Sequence, residues 1–365
     1  MSVMKVVIAE KPSVAKDLAR VLKANSRKDG YYEGTDYQVT WAFGHLIQLS
    51  NPDSYDKKYK SWDLSDLPII PSPFDKEVTN NDGSQRQYEL IKTLITNEKT
   101  DIVICATDAG REGELIFRYI YEFSQCNKPI ERLWISSQTD KAIEDGFKKL
   151  KPGKDYNGLY DSARCRSEAD WLIGMNATRA YTVTSEIGQG VMSVGRVQTP
   201  VLKMIVDRYR ANQDFKPETF YEVYAKFQHE NGQYEGKWFN DKSDRLNDKK
   251  TAESLVEKLK NITDGDIKKL TQKEKKEKPP LLYDLTELQR DANKQFKFSA
   301  DQTLKVAQKL YETHKVLSYP RTSSRYLSKD MGPQLKQRIE NLSKNPDYTP
   351  FCDEILANGI KPSKR

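Results

Sequence analysis

Apolar residues first cluster in Lys5-Val6-Val7-Ile8-Ala9, a short run that reads as a buried strand. Glu10-Lys11-Pro12-Ser13 follows, and then Val14, Leu18 and Leu22 recur at helical spacing, with proline suited to a first helical turn. The motif repeats farther on. Asp101-Ile102-Val103-Ile104-Cys105-Ala106 predicts a second buried strand, ending in Thr107-Asp108-Ala109-Gly110-Arg111-Glu112-Gly113-Glu114 before an apolar helix from Leu115. Strand and helix alternate to about residue 150, which predicts a compact α/β unit closing near Lys151-Pro152-Gly153. A helical region follows over 151–214, periodic and arginine-rich from Ala163 to Tyr181 and broken at Gly188-Gln189-Gly190. From Phe220 to Phe227 the pattern alternates, a β signature that opens a 215–280 segment ending in the charged run Gln272 to Pro280. That run reads as a solvated connection. A final helical region, 281–365, begins its first helix near Thr286, and no internal repeat recurs at a fixed period.

Open α/β sheets bind ligands beyond the carboxyl ends of their strands, so the residues at these ends carry the first chemical signal. Glu10, Asp108 and Glu112 are hard oxygen donors delivered toward one crevice, a set suited to Mg²⁺ completed by water or phosphate. Taken singly, such acids also suit a helix N-terminus, where the dipole favours negative charge. A second signal lies in Ser318-Tyr319-Pro320-Arg321-Thr322-Ser323-Ser324-Arg325-Tyr326-Leu327. Proline stiffens that turn, and Arg321 can hold a phosphate bidentately beside the Tyr319 phenol. The arrangement suits a tyrosine that attacks a phosphodiester; a surface turn with two solvated arginines is the alternative.

Composition narrows the classes. Sixty Lys and Arg against 53 Asp and Glu leave a net charge of +7, which favours approach to phosphates without singling out nucleic acid. Twenty tyrosines and five tryptophans provide stacking platforms for unpaired bases, although most must serve the core. Cys105, Cys126, Cys165 and Cys352 contain no C-x-x-C pair, which argues against a zinc ribbon within this chain and against a secreted disulfide scaffold. His45, His229 and His314 lack metal-ligand spacing, and a structural hydrogen bond is expected of His45. No run approaches the ~18 apolar residues of a membrane span, and no signal peptide opens the chain, so a soluble cytoplasmic protein is expected.

Taken together, these motifs resemble the type IA DNA topoisomerases and, within them, the bacterial topoisomerase III branch. Ile8-Ala9-Glu10-Lys11-Pro12-Ser13 and Ala106 to Glu114 are similar to the acidic motifs of that family's Toprim domain. Blocks similar to the family's follow in order: Phe43-Gly44-His45-Leu46 with Tyr59-Lys60-Ser61-Trp62; Arg132-Leu133-Trp134-Ile135-Ser136-Ser137; Arg166 to Trp171; Ser193 to Pro200; Leu285 to Gln289; and the tyrosine decapeptide. The implied fold is an α/β Toprim domain with a Rossmann-like parallel sheet, a helical DNA-binding domain, a β-rich arch segment and a helical domain carrying the tyrosine.

What the resemblance implies is ATP-independent cleavage of one DNA strand by Tyr319 through a 5′-phosphotyrosine, then strand passage and religation. Negative supercoils would be relaxed or catenated DNA resolved, by a monomer with a helicase partner. Arg321, Glu10 and Lys11 would assist at the reacting oxygens, and Glu10, Asp108 and Glu112 would hold Mg²⁺. Outside the resemblance, Lys11 reads as a solvated lysine at a helix start. DNA contacts are implied for Trp62, Trp171, Arg179, Ser193, Val194, Gly195, Arg196, Val197, Gln198 and Arg321. The family's commonest acidic pattern is Asp-x-Asp-x-Glu, whereas Gly110 holds the middle position here, which should weaken metal binding unless Glu114 compensates; Glu114 as a helix-start carboxylate is the alternative. Ser323 stands where aspartate is commoner. The family continues past the tyrosine through a His-His-containing block, so the chain ending in Lys361-Pro362-Ser363-Lys364-Arg365 reads as truncated at its C-terminus. Two other readings stay open: a non-catalytic single-stranded DNA-binding remnant, and another Toprim enzyme such as a primase or nuclease, which would not need the Tyr-Pro-Arg block.

Overall fold

The computed structural model describes residues 4–185, 190–277, 280–327 and 332–360. The expected break at Gly188-Gln189, the end of the charged run at Lys278-Pro279 and the last five residues lie outside them. In chain order the first elements are β1 (Met4–Ala9), α1 (Pro12–Val21), β2 (Ser26–Lys28), β3 (Tyr31–Glu33), β4 (Tyr37–Trp41), β5 (Ile47–Leu49), α2 (Pro52–Tyr55) and β6 (Lys76–Val78). They continue with α3 (Asp82–Thr96), β7 (Thr100–Ala106), α4 (Arg111–Phe123), β8 (Ile130–Arg132), α5 (Asp140–Phe147), β9 (Lys151–Pro152) and α6 (Asn157–Thr184). Next come α7 (Gln198–Gln213), β10 (Tyr224–His229), β11 (Gly232–Lys237) and α8 (Lys249–Leu259), then α9 (Leu285–Phe296), α10 (Ala300–Glu312), α11 (Gly332–Leu342) and α12 (Thr349–Asn358).

A seven-stranded sheet in the order β2-β3-β4-β1-β7-β8-β9 organises the N-terminal region. Its centre, β4-β1-β7-β8, is parallel, and antiparallel strands β2, β3 and β9 finish the two edges. Both faces are covered, which explains the unbroken apolar runs in β1 and β7. Val6, Ile8, Val103 and Cys105 face one core layer with α3, α4 and the start of α6. Val7, Ala9, Ile104 and Ala106 face the other with Val14, Ala15 and Leu18 of α1 and Ile143 of α5. The period-2 alternation of a strand thus serves two hydrophobic layers at once.

The chain divides into two compact units, residues 1–195 with 279–365, and residues 196–278. In the first, α6 is 28 residues long, longer than the expected Ala163–Tyr181 helix. It is pinned to the segment between β5 and β6: the Trp171 indole N–H donates to Ser50 O at 2.9 Å, and Asn176 exchanges hydrogen bonds with the Ile69 backbone at 2.6 and 2.9 Å. The second unit contains α7, the β10-β11 hairpin and α8. Only part of the alternating Phe220–Phe227 run joins that ladder, which begins at Tyr224; Tyr221 instead bridges to Leu246. Helix α9 begins at Leu285, where the Asp284 carboxylate accepts the Glu287 N–H at 2.8 Å, an N-cap that explains its start. Residues 272–277 of the charged run are exposed and carry no regular structure.

Candidate active site

Parallel pairing of β1 with β7 sets Ala9 opposite Ala106, so Glu10 and Thr107-Asp108 emerge side by side from adjacent strand ends. The Asp108 N–H donates to Glu10 Oε2 at 3.2 Å. Beneath them the Arg132 guanidinium, almost wholly buried, donates to the carbonyls of Cys105, Thr107, Leu133 and Asp108 at 3.1, 2.7, 3.0 and 2.7 Å. Its Nε lies 3.1 Å from Glu114 Oε2, and Arg118 Nε donates to Glu114 Oε1 at 2.9 Å. Glu114 is therefore committed to the interior and does not stand in for the missing acid at Gly110. Gly113 lets the first turn of α4 pass tight against the Asp108 backbone, where a Cβ would collide with Asp108 O, while Thr107 Oγ1 donates to Gly113 O at 2.7 Å.

The tyrosine decapeptide packs against these strand ends. The Tyr319 N–H donates to Ser136 O at 3.0 Å, and the Tyr319 ring meets the Tyr311 ring edge-on at 5.7 Å. Tyr311 is buried, and the Gln138 side chain hydrogen-bonds its hydroxyl. Lys11 Nζ lies 2.5 Å from Glu312 Oε1 at the end of α10. Thr322 O accepts the Leu285 N–H, and Arg325 Nε donates to Leu282 O, tying the segment beyond the tyrosine to the start of α9.

Electrostatics mark the site. Burial pushes the Glu10 carboxyl above its usual range, although the Asp108 N–H, Lys11, Arg132 and Arg321 all pull against that rise. Burial, and then the charge of Glu10, raise Asp108 to about 6. Tyr319 is pushed up to about 12 by burial and by Asp108 and Glu10, with Arg321 opposing. Burial works against the Lys11 ammonium, but the Glu312 hydrogen bond and the acidic neighbours outweigh it and hold the amine above its ordinary value. The site thus places a neutral phenol beside two carboxylates that burial raises despite the positive charges of Lys11, Arg132 and Arg321.

A hard divalent cation fits this site, because two adjacent, partly buried carboxylates gain most from it and are its preferred ligands. Glu10 and Asp108 form the pair. Glu112, expected as a third donor, sits exposed on the first turn of α4, 3.9 Å from His45 Nε2, and among the described residues no three Asp, Glu, His or Cys side chains converge into a ready coordination shell. His45 lies half exposed facing this acid, in place of the structural hydrogen bond expected of it. Gly44, at φ 79°, makes the turn that presents it, in the left-handed region that glycine adopts most readily.

The implied DNA contacts divide. Trp62 is 37 % exposed, with the Arg179 guanidinium 5.3 Å from its ring centroid. Trp171, expected as a stacking platform, is buried edge-on between Tyr55 and Phe74 with its N–H satisfied by Ser50, which corrects that expectation to a core role. Arg179 is likewise 6 % exposed, its guanidinium lies against the Trp62 ring, and burial lowers its pKa. Val194 pairs with Thr178 of α6 through both its N–H and its carbonyl, which lays Ser193-Val194-Gly195 along that helix. Arg196, Val197 and Gln198 open the second unit, with Val197 exposed.

Sequence reasoning did not single out Tyr311, Glu312, Gln138 or Arg132. Arg132 and Ser136 lay within a motif block, a signal that was present. Glu312 lies 301 residues from Lys11, and no local pattern marks such a pair.

Comparison with known proteins accords with this geometry. A DNA topoisomerase family model matches residues 154–364, and a Toprim domain model matches residues 5–138. DNA topoisomerase 3 of Bacillus cereus is 48% identical over 98% of this chain, and that of Bacillus subtilis 47% identical over 98%. The chain spans 48% of the length of each. Full-length topoisomerase I from Thermotoga maritima shares the fold with a TM-score of 0.59 at 23% identity, over 92% of this chain and 52% of that one. The match over 154–364, beside the Toprim sheet that sets Glu10 against Asp108, shows that the chain belongs to the DNA topoisomerase family, in its type IA, topoisomerase III branch.

Proposed function

We propose that the chain carries the cleavage centre of a type IA topoisomerase, with Tyr319 as the nucleophile toward one strand of DNA. The observation that carries this reading is the Tyr319 N–H bound to Ser136 O, which seats the tyrosine segment beside the Toprim strand ends, near enough that Glu10, Asp108 and Arg321 act on its phenol. Tyr319 Oη attacks phosphorus, the P–O3′ bond breaks, and a 5′-phosphotyrosyl bond forms with a free 3′-hydroxyl. The phenol proton passes to a neighbouring carboxylate, and the departing 3′-oxygen takes one back. Glu10, whose carboxyl burial raises above its usual range, is the carboxylate that suits both transfers, because a raised pKa eases uptake of the phenol proton. Lys11 and Arg321 supply positive charge for the transferring phosphoryl group. Religation runs the same steps in reverse, so no ATP is consumed.

Glu10 and Asp108 would hold Mg²⁺, with Glu112 reaching it directly or through water. When bound, the ion would neutralise the paired carboxylates and hold a backbone phosphate for religation. Trp62 and the Ser193-to-Gln198 segment would contact the single strand. The wider activity follows the branch: relaxation of negative supercoils or decatenation, by a cytoplasmic, nucleoid-associated monomer working with a helicase. No helix among the described residues is long and apolar enough to cross a membrane.

The test is a denaturing-gel assay with 5′-labelled and 3′-labelled single-stranded oligonucleotides and Mg²⁺. An adduct carrying the segment downstream of the break, lost in Tyr319→Phe, is the expected result. Oligonucleotide binding without any adduct would instead make the 365 residues a single-strand binding module.

A further inference from the structure

Four residues before the nucleophile, Lys315 adopts a left-handed backbone at φ 56°, a conformation unfavourable to a residue with a side chain. Its Nζ lies 2.5 Å from Asp17 Oδ2 on α1, and both side chains are about three-quarters buried, at 24% and 23% exposure. Asp17 is itself held by Arg20 at 3.4 Å, and Arg20 grips Asp140, the first residue of α5, through two hydrogen bonds of 2.5 and 2.7 Å. Asp140 closes the loop that contains Ser136, whose carbonyl takes the Tyr319 N–H. A ring of contacts therefore runs from Tyr319 through Ser136, Asp140, Arg20 and Asp17 to Lys315 and back along the chain to Tyr319.

On this arrangement we propose that Asp17 and Lys315 are positioning residues that seat the nucleophile segment on the Toprim sheet. The segment is held at both ends: at Lys315 by its side chain, at Tyr319 by its main chain. Neither anchor touches the reacting atoms. The parallel pair Lys11–Glu312 runs with opposite polarity, cation on the Toprim side, whereas Asp17–Lys315 places the anion there. A shift of the segment by one position would lose both pairs, setting Tyr311 or Thr313 against Lys11 and His314 or Val316 against Asp17, so the two pairs together specify a single seating. One ion pair contributes little by itself, but here it joins a backbone anchor across a loop of three intervening residues, whose freedom both anchors together remove.

The proposal rests on Tyr319 as nucleophile for its catalytic meaning and on the contacts alone for its physical content, and the experiment separates the two. Amide hydrogen exchange of peptides covering residues 316–322 would be measured in the 365-residue chain for Asp17→Asn, Lys315→Met, their combination, and Lys315→Arg. Each single charge removal should speed exchange about fivefold, the combination no more than either alone, and Lys315→Arg should keep the protection. Unchanged exchange in the single variants, or fully additive loss in the combination, would overturn the latch. In the adduct assay the same variants should form adduct about fivefold more slowly with unchanged oligonucleotide affinity; a weakened affinity at an unchanged rate would overturn the positioning role. Absence of adduct from the unmodified chain would overturn the nucleophile reading in this chain, and exchange would still decide the latch.

Discussion

Lys11 and Glu312, separated by 301 positions, meet at 2.5 Å and join the first strand end of the Toprim sheet to the helix that precedes Tyr319. The pair holds the Lys11 ammonium above its ordinary pKa despite burial. It also occupies the amine that the proposed mechanism turns toward the transferring phosphoryl group. On the proposed mechanism Lys11 is ordered in advance, with a carboxylate to exchange for a phosphate oxygen.

Removing the carboxylate charge should be visible in the pH profile. Glu312→Gln takes away the main influence raising the Lys11 pKa and leaves the burial that lowers it. The alkaline limb of the adduct-formation rate should move to lower pH. An alkaline limb that stays in place would show that Lys11 does not set it.

Asp108 gives a stability prediction with a definite sign. Its folded pKa of about 6 lies above the unfolded value near 4, so ionising it opposes folding. The penalty is absent below pH ~4, accumulates between ~4 and ~6, and stays constant above that range. In the absence of divalent cations, Asp108→Asn should therefore raise Tm at pH 7.5 by several degrees, equivalent to about 2 kcal/mol, and leave Tm at pH 4 unchanged. Thermal unfolding at the two pH values decides the matter; equal shifts at both would place the effect elsewhere than in the charge.

Gly110 is not required by its backbone. It is extended at φ −167° as the N-cap of α4, and a Cβ there meets nothing within 4 Å. Gly110→Asp should therefore fold normally, cap the helix, and supply the third carboxylate that the commoner acidic pattern contains. The Mg²⁺ concentration needed for half-maximal religation should fall roughly tenfold, since affinity for hard cations follows the number of charged ligands. A metal titration of religation would show it, and an unchanged midpoint would mean that position 110 does not face the ion.

Two tryptophans from similar motif blocks should behave differently. Trp62→Ala removes a half-exposed ring and should weaken single-strand binding about fivefold, at the low end of one stacked base, with little change in Tm. Trp171→Ala empties a buried site between Tyr55 and Phe74 and should cost about 3–5 kcal/mol of stability. Anisotropy titration and thermal unfolding of both variants separate the roles. Equal losses of affinity at unchanged stability would return Trp171 to the DNA surface.

Much of this protein could be read from its order of residues. Strands β1 and β7, the proline-started α1, the acidic strand ends and the Tyr-Pro-Arg turn are local features, written in hydrophobic period, turn chemistry and neighbouring residue types. Their chemistry travelled with them: Glu10, Asp108 and Tyr319 were candidates before any fold was known. Tertiary structure decided which candidates meet and in what state. Parallel registry put Ala9 beside Ala106 and so paired the two acids, and burial then raised their pKa values. Packing turned Glu114 inward to Arg132, buried Trp171 and Arg179, and brought Glu312 and Lys315 to α1. Sequence spacing carries information over a few residues, through the geometry of one helix turn or one strand. Desolvation and ion pairing depend on distance in space, and only the folded chain sets those distances.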